Sequence, residues 1–143
     1  MYLKGSKRMN LDSKGRLTLQ ADFRKEFADG KVELVPVKGA LYGFTLEGYV
    51  SWIEKNCPNA DDIESTDAKK ARFFNAHAVE VEIDAAGRIA VGKTSEADRK
   101  RLGIDREVVV AGNGSHFEIW AADSWDAQQI GDEAEEFEAY LFG

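Results

Sequence analysis

The stretch LDSKGRLTL at residues 11–19 decides how this sequence is interpreted, because IDAAGRIAV at residues 83–91 repeats its pattern. Each copy reads apolar residue, Asp, two variable residues, Gly, Arg and apolar residue, and Asp12 and Asp84 are 72 positions apart. An aspartate that begins a tight turn accepts hydrogen bonds from the backbone ahead of it, and a glycine adopts the positive φ that such a turn needs. We therefore predict that each D-x-x-G-R string is a hairpin tip between two strands with apolar alternation.

The similarity between the two regions continues beyond the turn. A polar, helix-prone segment follows each copy, at residues 21–30 and 95–104, and a glycine stands at or near the end of each segment. Two strand-like segments and the entry to a helix come next in each region. The strand-like segments are residues 31–37, 39–44, 107–112 and 116–120. The order β-β-α-β-β thus occurs twice, and because each half is too small to bury a stable core alone, we expect the two halves to share one.

Helical patterns connect and follow the two halves. Residues 46–58 place Tyr49, Trp52 and Ile53 on one helical stripe, and a second helical pattern begins near Ser65, a helix-capping residue type. We predict four regions: a first half with its following helix (1–56), a helical connector (57–78), a second half (79–126) and an acidic C-terminal helix (127–143).

Composition places the chain among folded globular proteins. Of its 143 residues, 43% are hydrophobic and 31% are charged. No apolar run approaches the roughly 18 residues that a membrane helix needs, and the N-terminal residues lack the apolar core of a signal peptide. Cys57 is the only cysteine, which excludes an intramolecular disulfide and fits a reducing compartment. We therefore expect a cytoplasmic protein.

The charge is distributed unevenly. The net charge is −7, yet residues 1–25 carry seven Lys or Arg against two Asp, whereas residues 123–143 carry seven Asp or Glu and no Lys or Arg. Binding to phosphates depends on local positive potential, so an acidic protein can still present a basic face to DNA. Charge alone nevertheless favours the simpler interpretation, in which the basic and acidic ends merely face water or each other.

Taken together, the motifs resemble the MraZ family of bacterial transcription regulators. The matching stretches are NLDSKGRLTL, FRKEF, VEIDAAGRIAV, LGIDREVVVAG and FEIWAADSW. The resemblance implies an α+β fold, in which two AbrB-like swapped-hairpin halves form an intrachain pseudo-dimeric barrel with flanking helices. It further implies a ring-like homo-oligomer that binds double-stranded DNA at direct promoter repeats. The implied role is repression of the division and cell-wall gene cluster, in the cytoplasm and in association with the nucleoid.

The candidate DNA-contacting residues are the basic side chains at and around the two turns. They are Lys14, Arg16, Arg88, Lys7, Arg8, Lys4 and Arg24. Arginine bonds guanine O6 and N7 together, whereas lysine serves phosphate more easily. The alternative is that each turn arginine pairs with the aspartate of its own turn and only holds that turn; the resemblance favours DNA, most strongly for Arg16.

The two turns are not expected to contribute equally. The second turn has Ala86 where the first has Lys14, so the first is predicted to bind DNA more strongly. We expect the remaining basic candidates, Lys4, Lys7, Arg8 and Arg24, to surround the first tip and bind phosphates, which position a protein without specifying sequence. A solvated basic segment is the alternative for each of these four.

Other kinds of site find little support. His77 and His116 have no second His or Cys at metal-ligand spacing, and the Asp61–Asp62 pair lies in a polar stretch without an apolar pocket. No nucleophile elbow or phosphate-binding loop occurs, so we expect no enzyme activity, no metal, no cofactor and no small-molecule substrate. An AbrB-type protein-interaction module, or an antitoxin without its own operator specificity, remains the alternative function.

Overall fold

The computed structural model describes residues 1–128 and 134–143 and has an α+β fold. Its strands are β1 (Ser6–Asn10), β2 (Arg16–Thr18), β3 (Lys31–Val37), β4 (Ala40–Phe44), β5 (Val79–Glu82), β6 (Arg88–Ala90), β7 (Glu107–Gly112) and β8 (Phe117–Ala121). Its helices are α1 (Ala21–Arg24), α2 (Leu46–Asn56), α3 (Thr66–His77), α4 (Glu96–Arg101), α5 (Ala122–Ala127) and α6 (Glu135–Phe142), with a 3-10 turn at Val91–Lys93. The four strands predicted at 31–37, 39–44, 107–112 and 116–120 are confirmed to within one residue at each end.

The strands form two antiparallel sheets. Six strands lie in the order β1-β7-β8-β4-β3-β5, and β2 pairs with β6 in a separate two-stranded ribbon. The closed barrel that the resemblance implied is therefore wrong for the described residues, since β1 and β5 are the two edges of the larger sheet. The strands β2 and β6 are only three residues long and pair with each other instead of bridging those edges.

The predicted hairpins also need correction. The strands on either side of each D-x-x-G-R turn do not pair with each other, because β1 pairs with β7 and β2 pairs with β6. The pairing sets Leu17 opposite Ile89, and both side chains are fully buried. A strand of three residues gains more by burying its apolar side chain against the other half than by extending a local hairpin.

The main hydrophobic core lies between the two-stranded ribbon and one face of the large sheet. It contains Leu17 and Ile89 from the ribbon and Leu34, Leu41 and Ile119 from the large sheet, all fully buried. A smaller cluster on the opposite face packs α2 and α3 against β3 and β4. That cluster includes Val35, Phe44 and Tyr49, with Trp52, Ile53 and Phe74 packed against them. The predicted stripe of Tyr49, Trp52 and Ile53 is thus confirmed.

Side-chain caps fix the starts of three helices. The hydroxyl oxygens of Thr45, Ser65 and Ser95 each accept a hydrogen bond from a backbone N–H three residues later, at 2.9–3.0 Å. Two helices are shorter than predicted, since α1 ends at Arg24 and α4 at Arg101. Gly103, with φ +70°, directly follows the C-cap of α4, as predicted for a helix stop, whereas Gly30, also with φ +70°, lies beyond the end of α1 and does not stop that helix.

The C-terminal region agrees in part with the expected acidic helix. The helix α6 is present at Glu135–Phe142, whereas residues 129–133 of the predicted segment lie outside the described residues. No helix within residues 1–128 and 134–143 is long and apolar enough to cross a membrane.

Candidate nucleic-acid interface

The first turn is closed by the side chain of Asp12. Its Oδ1 atom accepts from the backbone N–H groups of Lys14 at 2.9 Å and Arg16 at 2.8 Å, and its Oδ2 accepts from Arg16 Nε at 2.7 Å. The N–H of Asp12 donates to the carbonyl of Arg16, and the N–H of Gly15 donates to the carbonyl of Asp12, both at 2.9 Å. Gly15 has φ +71°, which confirms the predicted need for glycine.

The second turn repeats this bonding pattern. The Oδ1 of Asp84 accepts from the N–H groups of Ala86 and Arg88 at 2.9 Å, and Oδ2 accepts from Arg88 Nε at 2.9 Å. Gly87 has φ +80° and donates to the carbonyl of Asp84 at 2.9 Å. The two D-x-x-G-R strings therefore form the same turn, as their sequences predicted.

These hydrogen bonds hold both aspartates in the charged form. The backbone N–H of Arg16, followed by its side chain and the N–H of Lys14, lowers the pKa of Asp12 below its ordinary value of 3.8 despite some desolvation. The corresponding donors in the second turn lower the pKa of Asp84 in the same way. Each turn arginine therefore lies beside a carboxylate that stays ionised at neutral pH.

The aspartates use only one nitrogen of each arginine. Nε of Arg16 and of Arg88 is bonded within the turn, whereas their Nη groups have no protein partner within the described residues. The side chains of Arg16 and Arg88 are 29% and 34% exposed. The two interpretations of these arginines are thus compatible, because each aspartate orients its arginine and leaves the outer edge of the guanidinium available.

Both arginines lie on the outer face of the ribbon. Arg16 pairs with Ala90, and Arg88 pairs with Thr18, so the arginines stand diagonally across the two strands. Successive side chains of a strand point to opposite faces, and the intervening Leu17 is buried. The structure therefore brings the two turn arginines, 72 positions apart in sequence, onto one surface.

The other basic candidates are not gathered at the first tip. Lys7 and Arg24 line a cleft of about 340 Å³ between β1 and the start of α1. Lys4 lies beside Gly112, at the end of β1 away from the first turn. Arg24 lies against Gly87 of the second turn, which corrects its expected place beside the first.

Arg8 is already committed to carboxylates of its own chain. Its Nη1 bonds Glu107 at 2.8 Å and its Nη2 bonds Asp126 at 2.5 Å, and these bonds raise the pKa of the Arg8 guanidinium. A phosphate would have to replace both carboxylates. Arg8 is therefore the least suited of the candidates to contact DNA.

One basic residue near the first turn was missed by the sequence analysis. Gly92 donates its N–H to the carbonyl of Gly15 at 3.0 Å, which places the exposed Lys93 next to the first turn. Arg99 holds the 3-10 turn in place through the carbonyls of Gly92 and Thr94. The signal in the sequence was the extra GK pair after the second turn, which has no counterpart after the first.

Two histidine–carboxylate pairs involve none of the candidate DNA-contacting residues. His77 Nδ1 is 2.8 Å from buried Asp98. His116 Nε2 is 2.8 Å from buried Glu118, and although burial raises the pKa of Glu118, the bond from His116 and further bonds from Asn113 and Trp120 keep it lowered. Within residues 1–128 and 134–143, no group of three or more His, Cys, Asp or Glu side chains is placed to hold a metal ion.

Comparisons with known proteins identify relatives. The family model described as "MraZ protein, putative antitoxin-like" matches residues 74–140. The chain is 35% identical over 132 residues to the transcriptional regulator MraZ of Ligilactobacillus salivarius, covering 92% of this chain and 88% of that protein. It is 35% identical to the protein of the same name from Corynebacterium urealyticum, over 87% and 85% of the two chains. It is 33% identical to that of Nitrosomonas eutropha, over 87% and 84%.

Proposed function

Since the chain belongs to the MraZ family of transcriptional regulators, we propose that it regulates transcription by binding double-stranded DNA in a sequence-specific manner through the β2–β6 ribbon. The observation that carries this proposal is the placement of Arg16 and Arg88 on the outer face of that ribbon, each with a free guanidinium edge. The ribbon has one buried face and one outer face, so the protein core supports the surface that meets DNA.

The two-stranded form of the ribbon suits the major groove of DNA. That groove is about 12 Å wide and admits a two-stranded antiparallel ribbon. The inner residues Leu17 and Ile89 anchor the ribbon to the core, and the outer residues Arg16 and Arg88 reach the base edges. An arginine whose Nε is fixed by a carboxylate can present its two Nη groups to guanine O6 and N7 with little loss of conformational entropy.

The strand order supports an organisation in two AbrB-like half-repeats. Exchanging β1–β4 with β5–β8 turns the order β1-β7-β8-β4-β3-β5 into the same order read from the other edge. The ribbon contains one strand of each half. We place the first half with its following helix at 1–56, the connector at 57–78, the second half at 79–126 and the acidic C-terminal region at 127–143.

A homo-oligomer would supply the affinity that a single ribbon lacks. Several ribbons held on one ring reach adjacent direct repeats at high effective concentration. The helix α6 supports self-association, because Tyr140, Leu141 and Phe142 are 83%, 53% and 84% exposed. The proposed target is a set of direct repeats upstream of the division and cell-wall gene cluster, which the protein would repress in the cytoplasm at the nucleoid, with neither cofactor nor enzyme activity.

A salt titration of DNA binding tests this function. Fluorescence anisotropy with a duplex from the chain's own upstream region, and with a scrambled duplex of equal composition, measures specificity. We expect tighter binding to the upstream duplex and a steep fall in affinity for both duplexes as salt increases. Equal binding to the two duplexes would refute sequence-specific recognition.

A protein-interaction module is the second candidate function. The exposed apolar side chains of α6 and the pairing of Arg8 with Asp126 favour it, because the first offers a docking surface and the second removes a cation from phosphate binding. If affinity for DNA is absent or independent of salt, this candidate replaces the first.

A further inference from the structure

We infer that Arg24 is a phosphate-binding residue of the second turn, where it supplies the positive charge that Ala86 does not. The inference rests on the proposed DNA-binding function and deepens it, because it assigns a specific contact to the less basic of the two turns. The ligand is a phosphodiester oxygen of the DNA backbone, next to the bases that Arg88 would meet.

The guanidinium of Arg24 occupies the space that a side chain at position 87 would fill. A Cβ atom on Gly87 would lie 1.6 Å from Arg24 Nη1 and 2.7 Å from Arg24 Cζ. Only glycine leaves room for this approach, and Gly87 is also the residue that provides the positive φ of the turn. The guanidinium is therefore packed directly on the backbone of the second turn.

The ribbon is what brings Arg24 to that turn. The N–H of Leu19, the residue after β2, donates to the carbonyl of Gly87 at 2.9 Å, and α1 begins two residues later. Phe23, which is 1% exposed, anchors α1 in the core, so that Arg24 at its end faces the turn of the other half. An arginine of the first half thus completes the surface of the second.

The charge of Arg24 is not neutralised by the protein. Within the described part of the chain, Arg24 is half-buried and has no carboxylate partner. By contrast, Arg8 bonds two carboxylates, and Arg16 and Arg88 each bond one. A guanidinium without a carboxylate binds an anion more readily, and its planar donors suit two phosphate oxygens.

Its position beside the turn favours phosphate over base. The Arg88 side chain projects outward from the outer face of the ribbon, where the base edges would lie. The Arg24 side chain instead approaches the turn from α1, beside the cleft that it lines together with Lys7. Residues that flank a reading element meet the DNA backbone, which carries no sequence information. We therefore expect Arg24 to affect affinity and its salt dependence, but not discrimination between sequences.

The experiment compares Arg24→Gln with Lys25→Gln in the full-length protein. Both changes remove one positive charge from adjacent positions, and Lys25 is exposed. For Arg24→Gln we expect roughly threefold to tenfold weaker binding to upstream and scrambled duplexes alike. The salt slope, which is the change in log affinity with log salt concentration, should be smaller in magnitude by about 0.9 for each second turn that contacts DNA. Lys25→Gln should leave affinity and slope nearly unchanged, and Arg24→Lys should retain most of the affinity because the charge persists.

Three results would overturn the inference. One is an equal effect of Arg24→Gln and Lys25→Gln, and another is a loss confined to the upstream duplex, which would indicate a base contact. The third is an Arg24→Lys variant that binds as weakly as Arg24→Gln, since the retained positive charge should preserve most of a phosphate contact. If the unaltered protein shows no salt-dependent binding, the proposed function itself fails; if it binds normally and only these results appear, Arg24 alone is misassigned.

Discussion

The two D-x-x-G-R turns have nearly identical backbones and different surroundings. In both turns, the aspartate accepts from two backbone N–H groups and one Nε at 2.7–2.9 Å, and the glycine has a positive φ. What differs is the neighbour of each glycine. Gly15 lies against the backbone of Gly92, whereas Gly87 lies against the side chain of Arg24.

This difference separates what a turn's own residues determine from what the rest of the chain determines. The hydrogen bonds that close each turn and orient its arginine all come from residues within the string. One further cation beside each turn comes from the partner half: Lys93 beside the first turn, in addition to that turn's own Lys14, and Arg24 on the second. Two turns of equal shape can therefore have different affinities for DNA. Substitutions can test separately how much the backbone shape and the surrounding charge contribute.

The largest expected effect is on folding, from Gly15→Val. A β-branched residue at φ +71° is strained, and its Cβ would also lie 3.2 Å from the Cα of Gly92, which is backbone and cannot swing away. The expected loss of unfolding free energy is roughly 2 kcal/mol or more. Gly87→Val should lose less, because the obstructing group is the mobile end of Arg24.

Urea denaturation checks this order, with Gly30→Val as the matched control. Gly30 has φ +70° and nothing within 4 Å of its added Cβ, so its valine variant measures backbone strain alone. A loss for Gly15→Val no larger than that for Gly30→Val would show that the contact with Gly92 is unimportant.

The next effect is on DNA binding, from Arg16→Ala. A bidentate arginine–guanine contact is worth about 1–3 kcal/mol of discrimination, and the loss recurs in every subunit of an array. We expect specific binding to be abolished, and Arg88→Ala to weaken it less, because the first turn has both Lys14 and Lys93 as exposed cations. Unfolding free energy should change little, since the pair with Asp12 is partly exposed and screened by solvent.

Anisotropy measurements and thermal melts distinguish the two roles of Arg16. Normal specific binding with a lowered melting temperature would mean that Arg16 only holds its turn. An equal loss from Arg16→Ala and Arg88→Ala would mean that the two turns contact DNA equally, and that Arg24 fully compensates for the missing lysine.

Much of this architecture could be predicted from local pattern. The turns, the glycines with positive φ, the strands 31–37 and 107–112 and the cap at Ser95 all depend on residues within a few positions of one another. Such short-range chemistry is readable from a single sequence because the interacting groups are neighbours in the chain.

The predictions that were wrong, namely the local hairpins and the position of Arg24, depend on which strand pairs with which. The sequence LDSKGRLTL is equally compatible with a local hairpin and with strands that separate, and only the burial of Leu17 against Ile89 favours separation. The position of Arg24 follows from the pairing of β2 with β6. It could therefore not be predicted from the short separation in sequence between Arg24 and the first turn. The partners of Arg8, at positions 107 and 126, are likewise remote in the chain.

A smaller effect is expected from adding the missing lysine to the second turn. Ala86 is exposed, and its N–H would continue to donate to Asp84, so Ala86→Lys should fold normally. One added phosphate contact should tighten binding roughly threefold at moderate salt and steepen the salt slope by about 0.9. Ala85→Lys is the control, since it adds the same charge where the first turn has Ser13; equal gains from both variants would indicate a non-specific charge effect.

The smallest effect is expected from acid, and it should not distinguish the two turns. Hydrogen bonds from Arg16 and Arg88 lower the pKa of Asp12 and Asp84 below 3.8, so these bonds stabilise the folded state fully above that pH. The stabilisation is lost as pH falls through the lowered values. Below pH about 5, the free energy of unfolding should therefore fall less steeply with decreasing pH for Asp12→Asn and for Asp84→Asn than for the unaltered protein, by similar amounts for the two variants. Urea denaturation between pH about 5 and about 2 measures this fall. Asp61→Asn, which removes a carboxylate without a hydrogen-bond partner among the described residues, is the matched control. A much larger change for one turn than for the other would mean that its surrounding cations, and not the shared hydrogen bonds, keep its aspartate charged.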